Sequence, residues 1–287
     1  MVDSDRRTYL KATGSAAAAL TLAGCTGGGD GGSSSTTGGT TSGSGETAIV
    51  AGTAPGFPPF EMVENGDLVG FDIDLLEAVV EQSDGYTLKE WQQYEFDSLT
   101  GALTTNKIDV IAAGLSIKEK RKKVMAFSDP YWESNQAILV RKGSSFQPQS
   151  LSDLAGHGVG AQSGTTGESQ VQDLIDKGTL TDSNYNPYSN YVLAVTDLEN
   201  GNIDAVVLDS PVADTFVSQR DVVVSTVVET GEQYAFGLRK GSDSLVSGLN
   251  GGLQAVKNNG TYADLKTKWF ASATTTTTTT GGDNSSE

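Results

Sequence analysis

Short apolar runs alternate with segments of helical periodicity along this chain, and that alternation limits the possible folds more than any other feature. Residues 49–51 and 108–112 are apolar runs typical of strands, and a helix near 72–82 lies between them. The helix has an apolar stripe from Leu75 to Val80, and Asp72 is expected to cap its start. Strands that alternate with helices form right-handed βαβ units around a parallel sheet. The pattern predicts an α/β fold.

A second α/β series follows the first. A strand is predicted at residues 157–161, helices near 166–177 and 190–200, and another strand at 203–208. Each series is long enough to bury its own core, so the chain is expected to form two lobes.

Two further extended runs, at residues 137–141 and 234–239, carry the chain across and back between the lobes and so predict a hinge with two crossings. The last helices, near 243–257 and 262–269, return to the first lobe. The predicted division is a first lobe of residues 46–137 plus 235–272 and a second lobe of residues 138–234.

The N-terminus has the layout of an export signal. Arg6 and Arg7 precede a weakly apolar stretch, residues 16–22, which ends shortly before Cys25. The paired arginines resemble a twin-arginine signal and the residues before Cys25 resemble a lipobox. The expectation is that residues 1–24 are removed and Cys25 is lipidated. The apolar stretch is in any case too short to span about 30 Å of hydrocarbon, so it is not expected to remain as a membrane helix. The protein would then be anchored at the extracytoplasmic face of the cell membrane.

Two segments have compositions that cannot bury an apolar core. Residues 25–45 are almost entirely Gly, Ser and Thr and are predicted to be a flexible tether, and residues 273–287, with seven successive threonines, a disordered tail.

The charge balance excludes some partners. Acidic residues outnumber basic ones by 36 to 19, giving a net charge of −17. Such a surface repels nucleic acid, so no nucleic-acid partner is expected. Salt adaptation is the favoured explanation, with an acidic functional patch as the alternative. The chain has one His and one Cys, so neither a metal site nor a cofactor is predicted.

Motifs spread along most of the chain resemble one known family. They are Pro58–Glu61, Gly66 with Leu68–Leu75, Gly114–Ile117 with Arg121, Phe127–Tyr131, Leu151–Leu154, Gly158–Thr166, Asp204–Ala205 with Asp209, and Gly260–Tyr262 with Lys268–Phe270. In this order and spacing, from about residue 47 to 270, they resemble the family-three extracellular solute-binding proteins, the polar amino-acid receptors of ATP-driven importers. The resemblance implies a two-lobed, type II periplasmic-binding-protein fold without enzymatic activity. It also implies a free amino acid as ligand and the permease subunits of an importer as partners.

A zwitterionic ligand needs a cation for its carboxylate and an anion for its ammonium group. Arg121 matches the family's carboxylate clamp, although the segment 118–123 also has the composition of a solvated basic helix start. Asp209 follows an apolar strand and is the predicted ammonium partner, with a helix cap as its alternative role.

Polar groups at two other strand ends complete the predicted polar contacts. Gly114 and Ser116 follow the strand at 108–112, where backbone groups and a hydroxyl can reach the ligand. Gln162, Thr165 and Thr166 lie between a strand and a helix, so free backbone amides there can bind a carboxylate. A simple Ser/Thr helix cap is the alternative.

The resemblance places Phe57 and Phe96 on either side of the ligand's side chain, and a core position is the alternative for each. Several family members have a carboxylate three residues before the first aromatic, where this chain has Ala54. A neutral polar amino acid is therefore the expected ligand, bound by a monomer.

Two other functions remain open at this point. The same fold is reported in dehydratases that act on cyclohexadienyl acids, and a ligand-sensing module for a signalling receptor would share every motif above. Fold alone does not separate these functions.

Overall fold

The structure, a computed structural model, describes residues 46–271. The predicted signal, the lipidation site Cys25, the tether and the predicted tail lie outside the described residues. Within 46–271 the chain forms two five-stranded sheets and one two-stranded hairpin. Among these residues, no helix combines the length and apolar character needed to cross a membrane.

Twelve strands and eight α-helices make up the described part of the chain. The strands are β1 Thr47–Thr53, β2 Met62–Glu64, β3 Asp67–Val69, β4 Tyr86–Gln93, β5 Val110–Ile111, β6 Met125–Phe127, β7 Trp132–Arg141, β8 Val159–Gln162, β9 Tyr185–Tyr188, β10 Ala205–Asp209, β11 Val222–Tyr234 and β12 Gly237–Arg239. The helices are α1 Phe71–Glu81, α2 Leu99–Thr104, α3 Glu119–Lys122, α4 Thr166–Asp176, α5 Tyr191–Asn200, α6 Ser210–Gln219, α7 Asp243–Asn258 and α8 Thr261–Phe270.

The first sheet has the strand order β4-β1-β5-β12-β6 and forms the core of the first lobe. β1 is parallel to β4 and β5 because α1 and α2 return the chain between these strands. The predicted stripe of α1, from Leu75 to Val80, is buried against the sheet. α7 and α8 pack against α1, so the end of the chain returns to this lobe.

The start of α1 differs from the expectation. Gly70 occupies the cap position and Asp72 lies inside the first turn, so the prediction that Asp72 caps the helix is wrong. Its carboxylate is buried and accepts hydrogen bonds from the Gly114 backbone N–H at 2.7 Å and the Tyr131 hydroxyl at 2.6 Å. A carboxylate that receives these two donors is not free to cap the helix.

The second sheet, with strand order β11-β7-β10-β8-β9, forms the core of the second lobe. Its parallel strands β8, β9 and β10 are connected through α4 and α5, as the second βα series predicted. β7 and β11 are long antiparallel strands beside them.

The chain passes between the lobes twice, at adjacent places. It leaves β6 and enters the second sheet at Trp132, before the predicted lobe boundary at residue 137, and returns after Tyr234. The two crossings are hydrogen-bonded to each other, from Tyr131 N–H to Tyr234 O at 2.9 Å and from Ser128 N–H to Phe236 O at 3.0 Å. A short connection of two hydrogen-bonded segments therefore joins the two lobes.

Candidate ligand-binding site

The nine residues predicted to contact a ligand all line one cavity between the two lobes. The empty space between its walls, including the part open to solvent, is about 280 Å³. Its walls are formed by Ala54, Phe57, Glu61, Phe96, Gly114, Ser116, Arg121, Gln162, Thr165, Thr166 and Asp209. Glu61 and Ala54 are the wall residues that were not predicted as ligand contacts.

Arg121, on the single turn of α3, is held in place by backbone carbonyls from both lobes. It donates from Nη1 to Ser116 O at 2.7 Å and from Nη2 to Gly164 O at 3.0 Å. The guanidinium carbon lies 5.2 Å from the centre of the Phe96 ring. Burial lowers the pKa of Arg121 to about 10, which leaves it a cation at neutral pH. The contacts are those of a positioned cation and not of a solvated helix start.

Gly114 presents bare backbone to the cavity. Its φ of 52° lies in the left-handed region that favours glycine, and a Cβ there would overlap the Phe57 ring. Asp72 fixes its N–H through the hydrogen bond described above. Burial raises the pKa of Asp72 to about 7, and the hydrogen bonds from Gly114 and Tyr131 act in the opposite direction.

Asp209 lies at the carboxyl end of β10 and is 4% exposed. It occupies the cap position of α6, but its side chain makes no capping hydrogen bond. Instead it accepts a hydrogen bond from the Tyr234 hydroxyl at 2.7 Å. Burial, and secondly the charge of Glu232, raise the pKa of Asp209 to about 7. The carboxylate is thus available to a ligand and not to the helix.

The start of α4 forms the second lobe's wall. Thr165 caps the helix by accepting from the Glu168 backbone N–H at 3.2 Å, and it also borders the cavity. It is therefore both a helix cap and a wall residue of the cavity. The Tyr191 hydroxyl donates to the Thr165 hydroxyl at 3.1 Å. Gln162 donates from Nε2 to Ser189 O at 3.1 Å, which fixes its amide at the edge of the cavity.

The two predicted aromatic walls differ in burial. Phe57 is 6% exposed, with its ring centre 5.5 Å from that of Phe60 and 5.9 Å from that of Tyr191, so it is both a core residue and a cavity wall. Phe96 is partly exposed and carries the Arg121 guanidinium on its face.

Glu61 is the residue of the cavity that sequence reasoning missed as a ligand contact. It is fully buried, and neither carboxylate oxygen has a hydrogen-bond partner among residues 46–271. Burial raises its pKa well above the ordinary 4.5, and the charges of Asp72 and Asp209 raise it further. Its position in the Pro58–Glu61 motif was visible in the sequence, but its burial without a partner was not.

Comparisons with known proteins identify the family. Residues 49–272 match the profile of the bacterial extracellular solute-binding proteins, family 3. The chain belongs to this family.

Two relatives of this family-3 protein are themselves described as binding proteins. A Neisseria gonorrhoeae protein named "probable histidine-binding protein" is 33% identical over 91% of this chain and 94% of its own length. The ABC transporter arginine-binding protein 1 of Escherichia coli is 32% identical over 76% of this chain and 88% of its own.

Solved structures match the fold. A mutant arginine-binding protein of T. maritima superposes with a TM-score of 0.73 and 40% identity, covering 78% of this chain and 95% of that one. The predicted fold, a two-lobed α/β periplasmic-binding-protein fold, is confirmed. The residue-by-residue site assignment remains a prediction, although one cavity brings all nine residues together.

Proposed function

We propose that this protein is an extracytoplasmic receptor that closes around one free amino acid with a cationic side chain and delivers it to an ATP-driven importer. The observation that carries the proposal is Glu61, a fully buried carboxylate without a partner in the wall of the cavity. Burial without a partner raises the pKa of this carboxyl group because the charged form is costly there, and a ligand cation beside it would favour the charged form.

The groups common to all amino acids have complementary partners in the cavity. Arg121 offers a guanidinium fork to the α-carboxylate, which also suits the positive end of α4, where Thr165 and Thr166 line the cavity. Asp209 receives the α-ammonium group, and the Ser116 hydroxyl lines the same cavity.

The charged residues of the cavity wall are the basis for the proposed side chain of the ligand. Glu61 and Asp209 are the two acidic groups of the wall and Arg121 is its one cation among the described residues. A basic amino acid has two positive groups and one negative group, so each of its charges can pair with one of these three side chains. This replaces the expectation of a neutral polar ligand, which rested on Ala54. The relatives named above support it, because they are described as histidine- and arginine-binding.

The aromatic walls of the cavity suit a side chain with an aliphatic stem. Phe57 and Phe96 would border the aliphatic part of the side chain, and Phe96 could stack with a guanidinium group.

Binding and closure are proposed to be one equilibrium. The first lobe contributes Arg121 and the second contributes Asp209, so a ligand that holds both is bound more tightly by the closed state than by an open one. Contacts such as Arg121 to Gly164 O cross the cleft and would form on closure.

Attachment to the membrane through a lipid on Cys25 and export through the paired arginines remain part of the proposal. Both features lie outside the described residues and are supported by the order of motifs at the N-terminus. A Cys25→Ser variant that stays in the membrane fraction of cells would contradict the anchor.

Titration calorimetry of the purified protein at high salt tests the proposed ligand class. L-arginine, L-lysine and L-histidine should be compared with L-glutamine and L-serine. Saturable binding of at least one basic amino acid, tighter than either neutral one, is expected. Binding of neutral amino acids alone would refute the cationic assignment, and no heat from any amino acid would refute the receptor itself.

A further inference from the structure

Glu232, on β11 beside the hinge, is the acceptor of four side-chain hydrogen bonds next to the cavity. Its Oε2 accepts from the Ser116 hydroxyl at 2.6 Å and from the Thr166 hydroxyl. Its Oε1 accepts from Gln136 Nε2 at 2.8 Å and from the Thr230 hydroxyl at 3.0 Å. Ser116 and Thr166 also line the cavity, whereas Glu232 does not.

These contacts fix the direction of two hydroxyl groups. An ionised carboxylate only accepts hydrogen bonds, and each hydroxyl has a single hydrogen to donate. The hydrogens of Ser116 and Thr166 are therefore both directed at Glu232, and the two oxygens lie 3.4 Å from each other. Towards the cavity both hydroxyls can offer only lone pairs.

We propose that Glu232 is a positioning residue that turns the Ser116 and Thr166 hydroxyls into acceptors for the ligand's ammonium group. The inference rests on the proposed function, since it requires an amino-acid ligand. It adds to Asp209 two neutral acceptors whose orientation is set before the ligand arrives. Such preorganised dipoles bind a charge without the cost of reorienting them.

The backbone supports this arrangement from both lobes. Ser116 forms an isolated bridge with Tyr234, two residues beyond Glu232, so the first lobe is joined to the end of β11 at this point. Thr166 is the first residue of α4 in the second lobe. Glu232 thus holds one hydroxyl from each lobe in the closed state.

Glu232 has two simpler alternative roles. It could stabilise the closed state for all ligands equally, or its negative charge could attract any cation. Two variants and two ligands separate these roles. Glu232→Met removes the acceptor and the charge, while Glu232→Gln removes the charge but keeps an oxygen that can accept from both hydroxyls. L-arginine carries the α-ammonium group, and 5-guanidinopentanoate is the same molecule without it.

The affinities of the full chain and its variants for both ligands should be measured by calorimetry, using competition for weak binding. We expect Glu232→Met to weaken arginine binding about tenfold or more, by the scale of hydrogen bonds to charged groups. It should change 5-guanidinopentanoate binding by less than about twofold, and Glu232→Gln should stay closer to wild type for arginine. Glu229→Met, on the same strand with its carboxylate bonded to Asn135, is the matched control and should change neither affinity.

Equal losses for the two ligands would overturn the proposal in favour of a closing contact, and equal losses in Glu232→Met and Glu232→Gln would overturn it in favour of charge alone. No effect of either variant would also overturn it. Should Glu232→Met fail to fold, judged by its thermal unfolding, Ser116→Ala removes one of the same acceptors and should show the same dependence on the ammonium group. A wild-type chain that binds no amino acid would refute the proposed function, which a loss confined to the variants would not.

Discussion

The segments Gly114–Lys122 and Phe57–Glu61 each bring one charged side chain to the cavity, but they prepare it differently. Arg121, in the first segment, already donates to two backbone carbonyls. Glu61, in the second, is fully buried and accepts no hydrogen bond from the described residues. We propose that the first segment recognises the groups that all amino acids share, and that the second determines which side chain is bound.

Removing Arg121 should produce the largest loss of affinity, and it tests whether the segment Gly114–Lys122 binds the groups that all amino acids share. Arg121→Ala leaves the ligand carboxylate buried without its cation, so binding should weaken by roughly 3 to 5 kcal/mol. Calorimetry with L-arginine measures the loss. Lys120→Ala, one residue away, is the control and should bind as wild type does. Tight binding retained in Arg121→Ala would remove this residue from the site.

The buried acids should make the ligand-free protein less stable as pH rises from about 4 to about 7. The pKa values of Asp72 and Asp209 are raised from 3.8 to about 7, and that of Glu61 also lies above its ordinary value. The folded chain therefore binds protons more tightly than the unfolded chain in this range, and the slope reaches at most about 1.4 kcal/mol per pH unit for each group.

Thermal unfolding at high salt, which screens the surface acids, checks this prediction. Glu61→Gln should flatten the slope, and affinity for a basic amino acid should rise over the same range because the complex needs the ionised carboxylates. Stability that increases with pH would show that these groups are not protonated in the folded, ligand-free state.

Phe96→Leu should have the smallest effect. It removes the ring that carries the Arg121 guanidinium at 5.2 Å, an interaction that contributes about 0.5 to 1 kcal/mol at exposed sites. The loss should appear for every amino acid that binds. Phe146→Leu, whose ring stacks on His157 in the second lobe, provides the control. A loss in Phe96→Leu confined to basic amino acids would place Phe96 with Glu61 and not with Arg121.

The fold could be predicted from the sequence because its signals are local. The stripe on α1, the apolar run at β10 and the Gly-Thr-Thr start of α4 each indicate their element without knowledge of the rest of the chain. No element was predicted at β11, where a Val-rich start gives way to alternating polar residues such as Thr230 and Glu232. Its pairing with β7 is long-range and depends on the hinge.

The missed and misinterpreted site residues share one cause. Asp72 looked like a cap and Glu61 like an ordinary motif residue, because burial and hydrogen-bond partners depend on segments distant in sequence. Asp72 receives its donors from Gly114 and Tyr131, and the identity of Ala54 suggested that the cavity had no acid for a cationic side chain. The acid that we propose for this role is instead Glu61, which lines the same cavity.

The most direct test of the central claim is a comparison of L-arginine and L-glutamine binding to the wild-type protein and to Glu61→Gln. Calorimetry at neutral pH and high salt should show wild type preferring arginine. Glu61→Gln should lose about 2 kcal/mol or more of arginine binding, since the ligand cation is then buried without its charge partner, and should keep or improve glutamine binding. An unchanged preference in the variant would show that Glu61 does not select the side chain.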